Sequence, residues 1–360
     1  MSDVSHGDRP PTIKEVAVHA GVSPMTVSRT LAGGVNVRPD LQEKVLAAVR
    51  ELGYHRNENA RSLRPGQSSG LIGVAITNLG NPYYGNFALG VEEVAAEYGR
   101  RIVLGNTGED PGRERQLIAD FIGRQVEGLV LVPSGGASDH LQPERLGDIP
   151  IVLASRRVYG LDVDAVLLDD VGGAYRGTKS LLDAGHSRIG FLGNVRSVFT
   201  GQRRYEGFSR ALGERGLEPD PRLVQREQQD VDSARAAMRH LLDLDDAPTA
   251  VFSANNRNTV GALKEIGRRL RDGADVAELP AIVSFDNFEL AELMPVPVAV
   301  IDHDARQLGR EAARLLLSRL SPGGRRAPAR LVEMPVTLAS SPSPSPSPSP
   351  SSSPTSAPAD

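Results

Sequence analysis

The chain has 360 residues, 45 Asp and Glu against 41 Lys and Arg for a formal net charge of −4, and neither cysteine nor tryptophan. That length allows two or three units, each burying its own core. The missing thiols exclude disulfide scaffolds and thiolate metal sites, and no apolar run approaches the ~20 residues needed to cross a bilayer. Charge is unevenly placed: residues 12–66 hold eight Lys/Arg and five Asp/Glu, which leaves −7 for the remainder. A mildly basic head on an acidic body suits a nucleic-acid-contacting module joined to something else. Residues 1–11 are polar and lack the apolar stretch of a secretory leader. They are expected to be disordered, and the protein soluble and cytoplasmic, without membrane contact.

Residues 12–56 are helical in period. Thr12-Ile13-Lys14-Glu15 reads as a capping box, in which the Thr hydroxyl takes the Glu15 amide and the carboxylate reaches back. Ile13, Val16, Ala17 and Ala20 then share a face, and Gly21 ends the helix. Ser23 caps a second helix with Pro24 at its first position, where a missing N–H costs nothing. It runs to about Leu31 and stops at Gly33-Gly34. A third begins near Pro39, turns Leu41, Val45, Ala48, Val49 and Leu52 inward, and ends at Gly53.

Two short helices joined by such a turn and braced by a third make a helix-turn-helix. Its second helix is expected to bury Val27 and Leu31 and to expose Pro24, Met25, Thr26, Ser28, Arg29 and Thr30. Hydroxyls such as those of Thr12, Ser23, Thr26 and Ser28 suit phosphate contacts, and Arg29 can offer guanine O6 and N7 two coplanar donors. The same caps and spacing also suit a small helical bundle with a solvated polar face.

Residues 57–69 form a polar connector. The stretch 57–64 is too short for a stable isolated helix, although Asn57 can cap it and Pro65-Gly66 end it. Residues 70–338 alternate short apolar runs (71–76, 102–104, 128–132, 151–153, 166–168, 189–192, 250–252 and 281–285) with amphipathic stretches. In one of these, Phe87, Val91, Val94, Ala95 and Tyr98 share a face. Non-alternating runs mark parallel strands covered on both sides. The expectation is an α-helical helix-turn-helix head followed by an α/β body of two Rossmann-like lobes, with two parallel sheets and ligand sites at the strand carboxyl ends. Residues 339–360 are a Ser/Pro tail with almost nothing to bury, expected to be disordered.

Enzyme signatures are missing: there is no G-x-G-x-x-G, Walker A or H-E-x-x-H sequence. Asp169-Asp170, Glu92-Glu93 and Asp245-Asp246 are adjacent pairs whose side chains need not converge. No enzyme, catalytic residue, cofactor or metal is expected.

Thr12-Ile13-Lys14-Glu15-Val16-Ala17, Ala20-Gly21-Val22-Ser23, Thr26-Val27-Ser28-Arg29, Leu52-Gly53-Tyr54, Asn57 and Ala60-Arg61-Ser62-Leu63 together resemble the head of the lactose-repressor family of bacterial transcriptional regulators. The resemblance implies that Pro24, Met25 and Arg29 read bases and that Asn36, Tyr54 and Asn57 contact the DNA backbone. It also implies that Leu63, beside the small Ala60, enters the minor groove as a wedge when two hinges pair, and such wedges unstack a base step and bend the duplex. Two residues depart from the pattern: Arg38 stands where a capping Ser or Thr is usual, and Arg56 where proline is.

Further pieces extend the resemblance to about Leu338: Asn81-Pro82-Tyr83-Tyr84, Gly128-Leu129-Val130, Ala184-Gly185-His186, Arg204-Tyr205-Glu206-Gly207-Phe208, Pro248-Thr249-Ala250 and Phe285-Asp286-Asn287 are similar to the family's periplasmic-binding-protein-like core. By position Asp286 and Arg204 match its main ligand residues, with Asn255 and His303 next. Tyr83, Tyr84 and Phe87 would be apolar platforms. Ser155 stands where many sugar-binding members carry Asp, and Asn256 replaces an Asp, so the effector can differ from a free sugar. The resemblance thus implies a homodimer on a palindromic double-stranded operator, switched by a sugar or related metabolite held between the lobes. A tetramer is not expected, since the Ser/Pro tail cannot form a leucine-heptad helix. The alternatives are a solute-binding transport protein with the same body fold, and a repressor governed by a phosphoprotein.

Overall fold

The computed structural model describes residues 9–31, 33–34, 36–54, 69–136, 138–147, 149–288, 296 and 298–339. The chain divides into two compact units, Met1–Ser69 and Gly70–Asp360.

The first unit holds helices α1 (Ile13–Ala20), α2 (Pro24–Leu31) and α3 (Pro39–Glu51). The capping box at Thr12 forms: Glu15 N donates to Thr12 Oγ1 at 3.4 Å, and Thr12 N to the Glu15 carboxylate at 2.6 Å. Gly21 closes α1 at φ 64°, a left-handed conformation that glycine adopts without strain. Val16, Ala17, Val27, Val45 and Ala48 are the buried core, with Ile13, Leu31, Val49, Leu52 and Tyr54 packed around it. One expectation is corrected. Thr30 is buried, at 8% exposure, because it follows Val27 by three positions on the same helical face. Leu31 is only half-buried. Arg38 precedes α3 without capping it and instead grips Asp40 through two hydrogen bonds, of 3.1 and 2.9 Å. The turn between α2 and α3 is held by Gln42, whose Nε2 donates to the carbonyls of Gly34 and Val37, both at 2.9 Å.

The second unit contains two six-stranded sheets. In the first are β1 (Leu71–Ile76), β2 (Arg101–Asn106), β3 (Gly128–Leu131), β4 (Ile151–Ala154), β5 (Asp164–Leu168) and β11 (Leu331–Met334), in the order β11-β5-β4-β3-β1-β2. In the second are β6 (Ile189–Asn194), β7 (Val224–Gln228), β8 (Ala250–Ser253), β9 (Ala281–Phe285), β10 (Val298–Asp302) and β12 (Thr337–Ala339), in the order β12-β10-β9-β8-β6-β7. Pairing is parallel throughout except between β10 and β12. Each sheet therefore repeats one doubly wound pattern, with its second strand at the edge and its first inside, and each makes a lobe. The β7 sequence Val-Gln-Arg-Glu-Gln is too polar to read as a strand; at a sheet edge it has only one face to bury.

Helices α4 (Pro82–Glu97), α5 (Pro111–Gly123), the short α6 (Pro143–Leu146) and α11 (Ala305–Leu320) belong to the first lobe. Helices α7 (Asp170–Asp183), α8 (Phe199–Gly213), α9 (Val231–Leu242) and α10 (Asn256–Arg271) belong to the second. The chain thus passes between lobes three times: after β5, after β10 and after β11. Where α4 lies on α11, Gly90 and Gly309 let the backbones meet, since a methyl group at either would collide with the carbonyl of Arg306 or Phe87. At the core of the second lobe the rings of Phe191, Phe208 and Phe252 pack with centroids 5.0–6.3 Å apart, Phe191 stacked on Phe252 and Phe208 tilted against both.

Candidate functional site

In a parallel sheet every strand delivers its next residue to the same edge, and here the two lobes turn those edges toward each other. Ser155 follows β4, Asp170 follows β5, Asn194 and Gln228 end β6 and β7, Asn255 follows β8, Asp286 follows β9 and His303 follows β10. Two of these are held with left-handed backbone, Ser155 at φ 61° and Asp286 at φ 68°. A non-glycine residue in that region costs of order 1–3 kcal/mol and persists only where its surroundings fix it. For Asp286 they do: its amide donates to the Ile301 carbonyl at 3.1 Å, and its carbonyl accepts from Ser284 Oγ at 3.0 Å.

At the centre lies Arg204 of α8, 5% exposed. Its Nε donates to Asp170 Oδ1 at 2.7 Å, and its Nη1 to the Ala254 carbonyl at 2.6 Å and to Asp286 Oδ2 at 3.3 Å. The guanidinium also sits 3.6 Å from the centre of the Phe285 ring, a cation–π contact. On its other oxygen Asp286 meets His303 Nε2 at 2.8 Å. Burial alone pushes the Asp286 carboxyl up, but Arg204 and His303 outweigh it and hold the pKa down to about 2. Burial dominates at Asp170, whose pKa is raised although Arg204 opposes the shift. It works against the charge on Arg204 too, where Asp286 and Asp170 more than offset it and raise the pKa. The result is a buried guanidinium braced by two carboxylates and an imidazole.

From the first lobe come Tyr83 and Tyr84, near the start of α4, their rings edge to face at 4.9 Å. The Tyr83 hydroxyl and Ser155 Oγ lie 2.6 Å apart, and burial raises the pKa of both phenols, which stay neutral. Arg156 donates to both oxygens of Glu109, at 2.6 and 2.7 Å, and to the Pro133 carbonyl at 2.8 Å. The lobes are joined by a reciprocal carboxamide pair: Asn81 Nδ2 donates to Asn256 Oδ1 at 3.2 Å, and Asn256 Nδ2 to Asn81 Oδ1 at 2.9 Å.

Between the lobes remains a cavity of about 80 Å³ lined by Tyr83, Tyr84, Ser155, Arg204, Asn255 and Asp286, together with Glu109, Arg156, Arg257 and further polar groups. Five asparagines and two glutamines border it, so amide donors and acceptors outnumber charges. Through Asn81, Tyr83, Arg257 and Asp286 it adjoins a recess of about 1420 Å³, where His303 also lies. Six of the eight expected cleft residues therefore meet in the cavity, and a seventh, His303, touches it through Asp286. Phe87 does not: it is 0% exposed within the hydrophobic core, lines neither space, and cannot be a platform for a ligand in them. Asn255 has a structural duty besides, capping α10 by accepting from Asn258 N at 2.7 Å and donating to Asn194 Oδ1.

Asp170, Arg156 with Glu109, and Asn81 escaped the reading of the sequence. Asp170 was visible only as half of an adjacent pair. Asp169 caps α7, accepting from Gly172 N at 2.8 Å, which turns its neighbour inward. The available signal was position, one or two residues beyond an apolar run.

In the first unit α2 presents Pro24, Met25 (61% exposed) and Arg29 to solvent, with Thr26 and Ser28 half-buried beside them. Ser23 Oγ accepts from Thr26 N at 3.1 Å, capping the helix. Among the described residues Arg29 makes no ion pair or side-chain hydrogen bond. Asn36 is exposed at φ 64° and Tyr54 is half-buried on the core. Asn57, Ala60 and Leu63 lie outside the described residues.

A helix-turn-helix head and a two-lobed α/β body with a polar cleft at the strand ends define a ligand-sensing DNA-binding regulator. Residues 12–57 match the bacterial regulatory proteins of the lacI family, and residues 69–339 the periplasmic binding proteins and sugar binding domain of the LacI family. The chain belongs to the LacI family of transcriptional regulators. It is 30% identical over 306 residues to catabolite control protein A of Priestia megaterium, spanning 85% of this chain and 91% of that protein. To the transcriptional repressor CytR of Escherichia coli K12 it is 29% identical over 309 residues, 86% of this chain and 89% of the repressor. Among solved structures, the regulator CelR in complex with cellobiose superposes with a TM-score of 0.68 at 29% identity, over 92% of this chain and 99% of that one. The lac repressor dimer bound to operator and the anti-inducer ONPF shares the fold, with a TM-score of 0.76 at 24% identity over 92% and 99% of the two chains. Among the described residues no helix is long and apolar enough to cross a membrane.

Proposed function

We propose that this chain is a repressor that grips a palindromic operator as a homodimer and is switched by a small hydroxylated metabolite, a sugar or a close relative, bound between its lobes. The observation that carries this reading is the buried Arg204–Asp286–His303 arrangement facing a cavity bordered by carboxamides. A carboxylate takes two neighbouring hydroxyls as acceptor, a guanidinium gives to ring or hydroxyl oxygens, and amides do both. The lining contains no phenylalanine and suits a polar ligand better than an apolar one.

The cavity, about 80 Å³, is far below the roughly 300–1,000 Å³ of ordinary small-molecule sites, so enclosing a ligand there requires the lobes to part or shift. A ligand moves that balance only by binding one arrangement better than the other. In the head, Pro24, Met25 and Arg29 would address base edges while Ser23, Thr26, Ser28, Thr12, Asn36 and Tyr54 set the helix against the backbone. Asn57, Ala60 and Leu63 would couple two heads through paired hinges. The test is a gel shift on the DNA upstream of the chain's own gene, repeated with a panel of sugars, sugar derivatives and nucleosides. Preference for one palindrome over random duplex, altered by at least one compound, supports the reading; equal affinity for every duplex with every compound sinks it.

A further inference from the structure

Arg257 stands apart from the other two arginines of the cleft. Arg156 is held by Glu109, and Arg204 by Asp170 and Asp286. Arg257 lines the cavity and the adjoining recess, yet among the described residues it has no ion pair and no hydrogen bond, and its Nε is buried without a partner. The neighbouring Asp230 is engaged as the cap of α9, accepting from Ser233 N and Ser233 Oγ, both at 2.8 Å. An unmade hydrogen bond at a buried donor is unfavourable, and an acceptor on a ligand would supply it.

Two more observations point the same way. Arg257 lies in the first turn of α10, whose cap is the neutral Asn255, and α4 arrives from the other lobe behind another neutral cap, Asn81. The positive ends of two sixteen-residue helices thus meet at the Asn81–Asn256 pair, and neither helix has an acidic residue as its cap or in its first turn. On the same recess, the His303 side chain is 3% exposed and its Nδ1 has no partner. With Nε2 engaged by the Asp286 carboxylate, Nδ1 is the ring nitrogen left to meet a ligand hydroxyl, which can both donate and accept.

We infer that the effector is an anionic sugar derivative, a phosphate ester or a sugar acid, whose negative group is received by Arg257 while a hydroxyl meets His303. This rests on the effector reading of the cleft and narrows it. Guanidinium pairs with phosphate or carboxylate through two parallel donors, so a neutral polyol leaves Arg257 with only the longer-range attraction of Asp230 and no charge-assisted hydrogen bond.

The experiment is isothermal titration of the full-length protein with glucose, glucose 6-phosphate, gluconate and inorganic phosphate, on wild type, Arg257→Gln and Arg257→Lys. Thermal unfolding without ligand checks that both variants fold. At least one anionic probe is expected to bind wild type about ten-fold or more tighter than glucose. That advantage should vanish in Arg257→Gln and largely survive in Arg257→Lys, and whether the phosphorylated or the carboxylated probes respond identifies the source of the charge. Binding of glucose alone overturns the anionic assignment and leaves the cleft reading standing. An anionic preference that persists in Arg257→Gln, or no saturable response to any of the three anions, also overturns it. The cleft reading is then judged separately, by the sugar panel in the gel shift.

Discussion

Asp286 braces Arg204 with one oxygen and His303 with the other, from a backbone conformation few side chains tolerate. Its folded pKa of about 2 lies below the ordinary 3.8. The ionised carboxylate therefore contributes stability that is fully present above about pH 4 and is lost as pH falls toward 2, worth about 2 kcal/mol from a shift of that size. Urea unfolding of Asp286→Asn followed between pH 5 and 2 should lose that part of the acid dependence; an unchanged pH slope would contradict the bracing role. At Arg29 the expected change is in specificity. Arg29→Ala should relax preference at one operator base pair and cost ~1–3 kcal/mol there, measured by binding to single-base operator variants, and equal weakening on every sequence would count against base reading. Arg204 and Asp286 could be found from their place in the family pattern. Asp170 and Thr30 could not: an adjacent acidic pair does not say which member faces inward, and a threonine three residues after a buried valine joins the core whatever its polarity.

Single positions also decide how well an element holds. The capping box makes Thr12→Ala informative, because the loss of such a cap costs ~0.5–2 kcal/mol. Among the described residues the core of the head has five buried hydrophobic side chains to absorb that loss. Its melting, followed by helical circular dichroism on the full chain, should come several degrees earlier while the body's transition stays in place; simultaneous loss of both would refute the local account. At the crossing of α4 and α11 the margin is set by backbone contact, so Gly309→Ala must spread the helices. A cost of ~1–3 kcal/mol is expected, as for other overpacked cores, and a neutral result in chemical denaturation would show that the helices slide freely. All eight apolar runs became strands; the interior ones are apolar along their length because both faces are covered, while β2, at a sheet edge, stays partly exposed. β7, β10, β11 and β12 stayed hidden: β7, β11 and β12 are edge strands, which bury little, whereas β10 lies inside its sheet and was missed despite its apolar Val298-Ala299-Val300-Ile301.

Across the whole molecule the two lobes meet at the reciprocal pair Asn81–Asn256, and no pattern in the sequence links residues 175 positions apart. Asn256→Ala removes both amide hydrogen bonds. It should shift the closed arrangement toward the open one by ~1–3 kcal/mol, read as a larger radius of gyration in small-angle scattering without ligand; an unchanged radius would mean other contacts hold the lobes together. The three passages of the chain between lobes bear on how the protein is made. The first sheet is begun by residues 71–76, yet its outer strand is residues 331–334, and α11, which packs on β3, β4 and β5, is residues 305–320. A ribosome that has delivered β1 to β5 has released a nascent sheet with one face uncovered and one edge unpaired, and it must build nearly all of the second lobe before supplying the cover. The lobe started first is among the last to be finished, and its waiting apolar face is the surface a chaperone would meet.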